Sequence, residues 1–184
     1  MRILVLLILL GVNSVVHADA IDLNLNDESV YFAYVIDYGT AALDIGALYK
    51  EQDNDDEDWI AHLGLEAVGE EYSGASTVEG GLGGRIYAAS IGDDDVLALA
   101  LGGHVGIFPG SGMIGFRLYG YYAPDILTGA DAERFWEAGA RIDFKLFENA
   151  RLYVGYREIE MRPEDSSKSV EVDDEAHVGI HIRF

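Results

Sequence analysis

From Ile21 onward, apolar and polar residues alternate with a period of two, the repeat of a strand with two unlike faces rather than of a helix. The clearest case is central: Leu97, Leu99, Leu101, Gly103, Val105 and Ile107 take one phase, and Ala98, Ala100, Gly102, His104 and Gly106 the other. The same reading predicts strands over Ile21 to Leu25, Val30 to Ile36, Ala41 to Tyr49, Trp59 to Val68, Val78 to Ala88, Ile114 to Tyr122, Trp136 to Lys145, Leu152 to Tyr156 and His177 to Phe184. In the last of these Val178, Ile180, Ile182 and Phe184 share a face, and the chain stops on the aromatic. A bare apolar edge of this kind recruits other chains, and closing the sheet by pairing its first and last strands removes the edge.

The pattern therefore predicts an all-β fold, a closed antiparallel transmembrane barrel of about ten strands. The count is even, as in single-chain bacterial barrels. The connections support it. Those near Tyr38, Glu70, Pro109 and Glu148 are short, and those near Glu51, Gly92, Ala123 and Arg162 are longer and mostly acidic, matching short periplasmic turns and longer external loops. An eight-stranded barrel is the alternative if Ile21 to Leu25 is only an extended lead-in.

The beginning of the chain adds a location. Met1 and Arg2 precede an apolar run from Ile3 to Val16 and small residues at Ala18 and Ala20. This reads as a cleavable signal peptide over residues 1–18, with cleavage after Ala20 as the variant, followed by a barrel domain over residues 19–184. The run is shorter than the ~20 residues of a spanning helix. The absence of Cys excludes a disulfide framework and a lipoprotein anchor. The net charge of −21, from 33 acidic and 12 basic residues, argues against nucleic acid as a partner.

On the outward phase the residues are aliphatic or aromatic with almost no charge, as a lipid-facing surface requires, because a charge at the bilayer midplane costs ~2–4 kcal/mol. The core of a soluble sandwich is the competing reading. Tyr49, Trp59, Tyr122 and Trp136 at one end, and Tyr38, Phe108, Phe144 and Phe184 at the other, are expected as two interfacial girdles. The inward phase mixes glycines with Glu66, Glu79, Arg85, Arg117, Glu137, Arg141, Asp143 and Arg157. In a narrow barrel such charges must neutralise one another, so these eight residues are expected to form a lumen charge network rather than line a wide pore.

The acidic run Asp53 to Asp58 invites a calcium reading, but Asp58 stands where an EF-hand loop has Gly and Gly64 where it has Glu. A solvated external loop is expected, with weak divalent binding bridging to lipopolysaccharide phosphates as the further option. His62, His104, His177 and His181 share the inward phase, and no Ser stands beside one in a catalytic motif. They read as structural hydrogen-bonders. No metal site, cofactor or enzymatic activity is expected. The functional reading is a small barrel of the Gram-negative envelope with a structural or surface-interaction role. The alternatives are a narrow, porin-like solute channel and a lipid A-modifying enzyme. The partners expected are outer-membrane lipid, lipopolysaccharide and, during biogenesis, the barrel-assembly machinery, which reads an apolar alternating strand ending in Phe.

The segments Asp22-Leu23-Asn24-Leu25-Asn26-Asp27, Tyr121-Tyr122-Ala123-Pro124-Asp125-Ile126-Leu127, Leu152-Tyr153-Val154-Gly155-Tyr156-Arg157 and His177-Val178-Gly179-Ile180 together resemble the YfaZ family of outer-membrane proteins. The resemblance runs along nearly the whole mature chain. It implies a barrel fold and an outer-membrane location, and carries over no catalytic or ligand residues.

Overall fold

The computed structural model describes residues 19–51, 57–92, 94–163 and 169–184. The segment read as a signal peptide lies outside them. The strands are β1 (Ala20–Leu25), β2 (Ser29–Asp37), β3 (Ala41–Glu51), β4 (Glu57–Ser73), β5 (Ser76–Ile91), β6 (Asp94–Phe108), β7 (Ile114–Ala123), β8 (Thr128–Ala130), β9 (Ala132–Phe147), β10 (Ala150–Pro163) and β11 (Val170–Arg183). Ten of them close an antiparallel barrel. β1 pairs with both β2 and β11, Leu23 facing Phe32 on one side and Ile180 on the other. Because β1 is a full member of the wall, the eight-stranded alternative is excluded.

β8 is the extra element. It continues β7 after an interruption, with the 3-10 turn Asp125–Leu127 between them. β7 covers Leu101 to Ile107 of β6, and β8 covers Val96 to Ala98. The stretch from Ala123 to Glu133, expected as a loop, is thus largely part of the wall. Three other connections are tighter than expected. β4 runs to Ser73 before turning at Gly74, which has φ +63°, and Ile91 pairs directly with Asp94 across Gly92. β10 and β11 extend to Pro163 and Val170, leaving only 164–169 between them. The backbone ladder does not need lipid on one face, so it persists past the end of the apolar alternation.

β4 to β7 approach one another closely at two glycines. Gly83 of β5 and Gly102 of β6 face each other in register. A β-carbon on Gly83 would collide with the carbonyl oxygen of Leu65, and one on Gly102 with that of Gly120. Only glycine permits that approach, which is the usual reason for glycine at a barrel corner.

The two faces separate as the period-two pattern requires. Leu63, Leu65, Leu97, Leu99, Leu101, Ile107, Phe116, Leu118, Val154 and Val178 are exposed on the outside, forming a continuous apolar belt far beyond what a soluble monomer presents. Tyr49 pairs across strands with Trp59, and Tyr122 with Trp136, which builds the outer girdle from two aromatic pairs. At the other end Tyr38, Phe144 and Phe184 are exposed. Phe108 is not a girdle residue. It is only 6% exposed and lies inside the barrel, its ring between Arg117 and Arg151, because it falls on the phase of His104 and Gly106.

Candidate functional site

The interior divides by depth into two layers. Toward the end where Glu51, Glu57, Pro163 and Val170 lie, the inward side chains are apolar: Leu48, Ile60, Tyr87, Ile91, Val96, Phe135, Ile159, Met161 and Val172 form one packed cluster. Tyr87, Phe135 and Met161 have no measurable exposure. The rings of Tyr87 and Phe135 are 4.6 Å apart. The sequence reading named glycines and charges on the inward phase and did not foresee this apolar layer.

Toward the other end the interior is polar and surrounds a cavity of about 290 Å3. That end carries β1's first residue, the end of β11 and the tight turns, so it is the periplasmic end. Gly39, Gly69 and Arg183 line the cavity's rim, and Tyr119 and Tyr121 its floor beneath the plug.

All eight residues expected in the charge network point inward. Arg117 bonds Glu79, which also lies 3.6 Å from Arg183. Arg85 lies 3.7 Å from Glu137 and stacks over the Tyr121 ring at 4.0 Å. Arg141 lies 3.3 Å from Asp143. Among the described residues Glu66 pairs with no arginine; it engages His104 at 2.7 Å and accepts a hydrogen bond from Tyr121. The partner of Arg157 is Asp173, with Nε and Nη2 each 2.6 Å from Oδ2.

Several members of the network lie outside the eight expected residues. Asp22 of β1 gathers Arg141 at 2.8 Å, His181 at 3.1 Å and the Tyr153 hydroxyl. Asn24 donates to the Tyr153 hydroxyl at 2.9 Å and accepts from Arg157 at 3.3 Å. Asp44 holds His62 at 2.7 Å and Arg85 at 3.2 Å. The Tyr87 hydroxyl donates to Glu137 at 2.5 Å. Asp22 and Asn24 were visible as the back of the Ile21, Leu23, Leu25 face. Asp173 was hidden in what read as a loop.

The acidic run expected as a calcium or solvated loop lies mostly outside the described residues. Its last member, Asp58, is 2% exposed and accepts the Gly92 N–H at 2.8 Å, so this carboxylate caps a turn. Among the described residues no three His, Asp or Glu side chains are grouped as a metal site requires.

A closed ladder of tilted strands, an uncharged apolar belt between aromatic girdles and a polar, ion-paired interior define an integral β-barrel protein of the bacterial outer membrane. The family model described as YfaZ precursor matches residues 1–184, and the chain belongs to the YfaZ family. Among solved structures it is similar to the outer membrane channel DcaP of Acinetobacter baumannii, at 12% identity and a TM-score of 0.40, over 89% of this chain and 54% of that one. It is also similar to a structure described under "Unveiling the Mechanism Behind the in-meso Crystallization of Membrane Proteins", at 11% identity and a TM-score of 0.34, over 91% of this chain and 83% of that one. The chain thus spans about half the length of the channel. No curated protein matches it.

Proposed function

We propose that this barrel is a closed, non-conducting outer-membrane protein with a structural or surface-interaction role. The observation that carries the reading is the apolar plug. Conduction needs a continuous hydrated path, and the outer half of the lumen is filled by Tyr87, Phe135, Met161 and their neighbours at interior packing. Reconstitution of the wild type into planar bilayers is expected to give no stable conductance. Reproducible large openings under low voltage would overturn the reading.

The histidines also favour it over lipid chemistry. His62, His104 and His181 each face a carboxylate within the lumen, where an acyl chain in the membrane cannot reach them. The acidic residues Asp53, Asp55 and Asp56 suit divalent cations shared with lipopolysaccharide phosphates.

Assembly is assigned to the apolar face of β11 and its terminal Phe184. Val178 is exposed on the lipid face with Ile180 and Ile182 in the same phase, and Phe184, whose N–H donates to the Asp19 carbonyl at 2.9 Å, is 61% exposed, its ring 6.4 Å from that of Tyr34. So exposed a ring contributes little to packing, yet it is available to an insertion receptor. Deleting Phe184 is expected to lower the amount reaching the outer membrane and raise periplasmic degradation, followed by fractionation and heat-modifiable gel mobility. Normal yield of folded protein in the membrane would contradict this role.

A further inference from the structure

β4, at 17 residues, outruns β3, at 11. Their pairing ends at Ala41 opposite Ala67, and the last bond across that seam is the Val68 N–H donating to the Thr40 carbonyl at 3.0 Å. On its other side β4 stays paired with β5 through Ser73 opposite Ser76, and β5 is backed by β6 as far as Thr77 opposite Phe108. The overhang from Gly69 to Ser73 is therefore held from one side. Backbone groups of successive residues point to opposite sides of a strand, so Glu70 and Tyr72, like Val68, direct their N–H and C=O away from β5. Among the described residues no strand meets them there.

This edge stands in the periplasm. Along the outward phase of β4 the exposed Leu63 and Leu65 give way to Gly69, Glu71 and Ser73, so the lipid face has ended. A β-carbon on Gly69 would meet nothing within 4 Å, so packing inside the barrel does not account for that residue. Glycine within a strand is also found where another backbone comes close. Bare strand edges recruit other chains, and charged side chains restrict which ones. Here Glu70, which engages the Tyr72 hydroxyl, and Glu71 put one carboxylate on each face of the edge, both exposed.

We propose that the β4 overhang receives an added strand from a periplasmic protein, an extended segment with basic side chains on both faces. The segment continues the wall beneath the turn at Tyr38 to Thr40, through main-chain hydrogen bonds to Glu70 and Tyr72, and pairs its cations with Glu70 and Glu71. β5 and β6 hold the edge in strand geometry before the partner arrives, which lowers the ordering cost of binding. A second copy of this chain fits poorly. Two barrels in one membrane both run β4 toward the periplasm with the same tilt, ~35–45°, so two facing β4 edges cross instead of lying alongside. The proposal rests on the surface-interaction reading and makes it specific, while bilayer silence tests closure of the lumen and peptide binding tests this edge.

The test uses the full-length mature barrel in a neutral detergent with a panel of short fluorescent peptides, each a valine and threonine core flanked by lysine pairs. Every peptide has a copy N-methylated at alternate residues, which cannot form the ladder, and a copy with glutamate in place of lysine. Fluorescence anisotropy and amide exchange are read in parallel. The expected result is saturable binding near one peptide per barrel, with slowed exchange at the Glu70 and Tyr72 amides. Both altered copies are expected to bind about tenfold more weakly or worse, the scale of one or two lost hydrogen bonds. Tyr72→Pro removes one edge donor, leaves Glu71 and Ser73 bonded to β5, and is expected to show a similar loss, whereas Tyr72→Thr keeps binding. Should Tyr72→Pro fold poorly, Glu70→Gln with Glu71→Gln leaves the backbone intact and is expected to weaken binding likewise. No saturable binding anywhere in the panel, or equal binding of the N-methylated copies, would overturn the proposal. Slow exchange at both amides without peptide, together with a doubled sedimentation mass, would assign the edge to a second copy and overturn it as well.

Discussion

Replacing Arg157 with alanine is expected to lower the unfolding free energy of the barrel by ~3–5 kcal/mol, the cost of breaking a buried ion pair from one side. Arg157 is 2% exposed and Asp173 1%. The guanidinium contacts Asp173 through two nitrogens at 2.6 Å, Asn24 through the third at 3.3 Å, and lies over the Tyr31 ring at 5.2 Å. One side chain therefore ties β10 to β11, β1 and β2, across the seam where the sheet closes on itself. Its loss leaves the buried Asp173 carboxylate without its guanidinium. The double substitution Arg157→Met with Asp173→Leu removes both charges and is expected to recover most of the stability, because apolar replacement of a buried pair is often neutral or better. Urea unfolding in lipid vesicles, followed by the fluorescence of Trp59 and Trp136, measures both. A single-variant loss below ~1 kcal/mol would place the pair in the class of hydrated surface bridges.

Truncating the plug is expected to convert a silent barrel into a conducting one. Phe135 and Met161 are fully buried, and Phe135 packs on Tyr87. The cavity already reaches Tyr119 and Tyr121 beneath them. Alanine at both 135 and 161 removes two large side chains of the apolar filling between that floor and the external end. Each change also destabilises, by ~2–5 kcal/mol for a large core side chain, so folded protein is first established by heat-modifiable mobility. Planar-bilayer recording of the folded double variant then shows discrete openings absent from the wild type. A variant that is folded and still silent would mean that the ion-paired layer, not the apolar one, closes the lumen. Arg117→Ala in the same assay separates the two layers, since it opens only the periplasmic half.

Alternation alone carried the fold class, the direction of nearly every side chain and the closure of the barrel. Parity is a property of the strand itself: once Leu97, Leu99 and Leu101 face lipid, Ala98 and Ala100 must face inward, whatever the neighbouring strands do. The membership of Arg85, Arg117, Arg141 and Arg157 on the inner face was legible for the same reason. Depth was not. Which inward residues meet depends on the stagger between strands, and stagger is set by closure of the whole sheet. That is why Arg157 meets Asp173 across an irregular register between β10 and β11, and why Glu66 meets His104 and Tyr121 instead of an arginine. Asp22, 159 residues from His181 in the chain, becomes a hub only because β1 closes against β11. The separation of an apolar outer layer from a charged inner one is likewise tertiary, since residues such as Leu48, Phe135 and Met161 share a level only after ten strands tilt and lock. The chain by itself determined which face each residue occupies; the closed sheet decided at what height, and therefore beside whom.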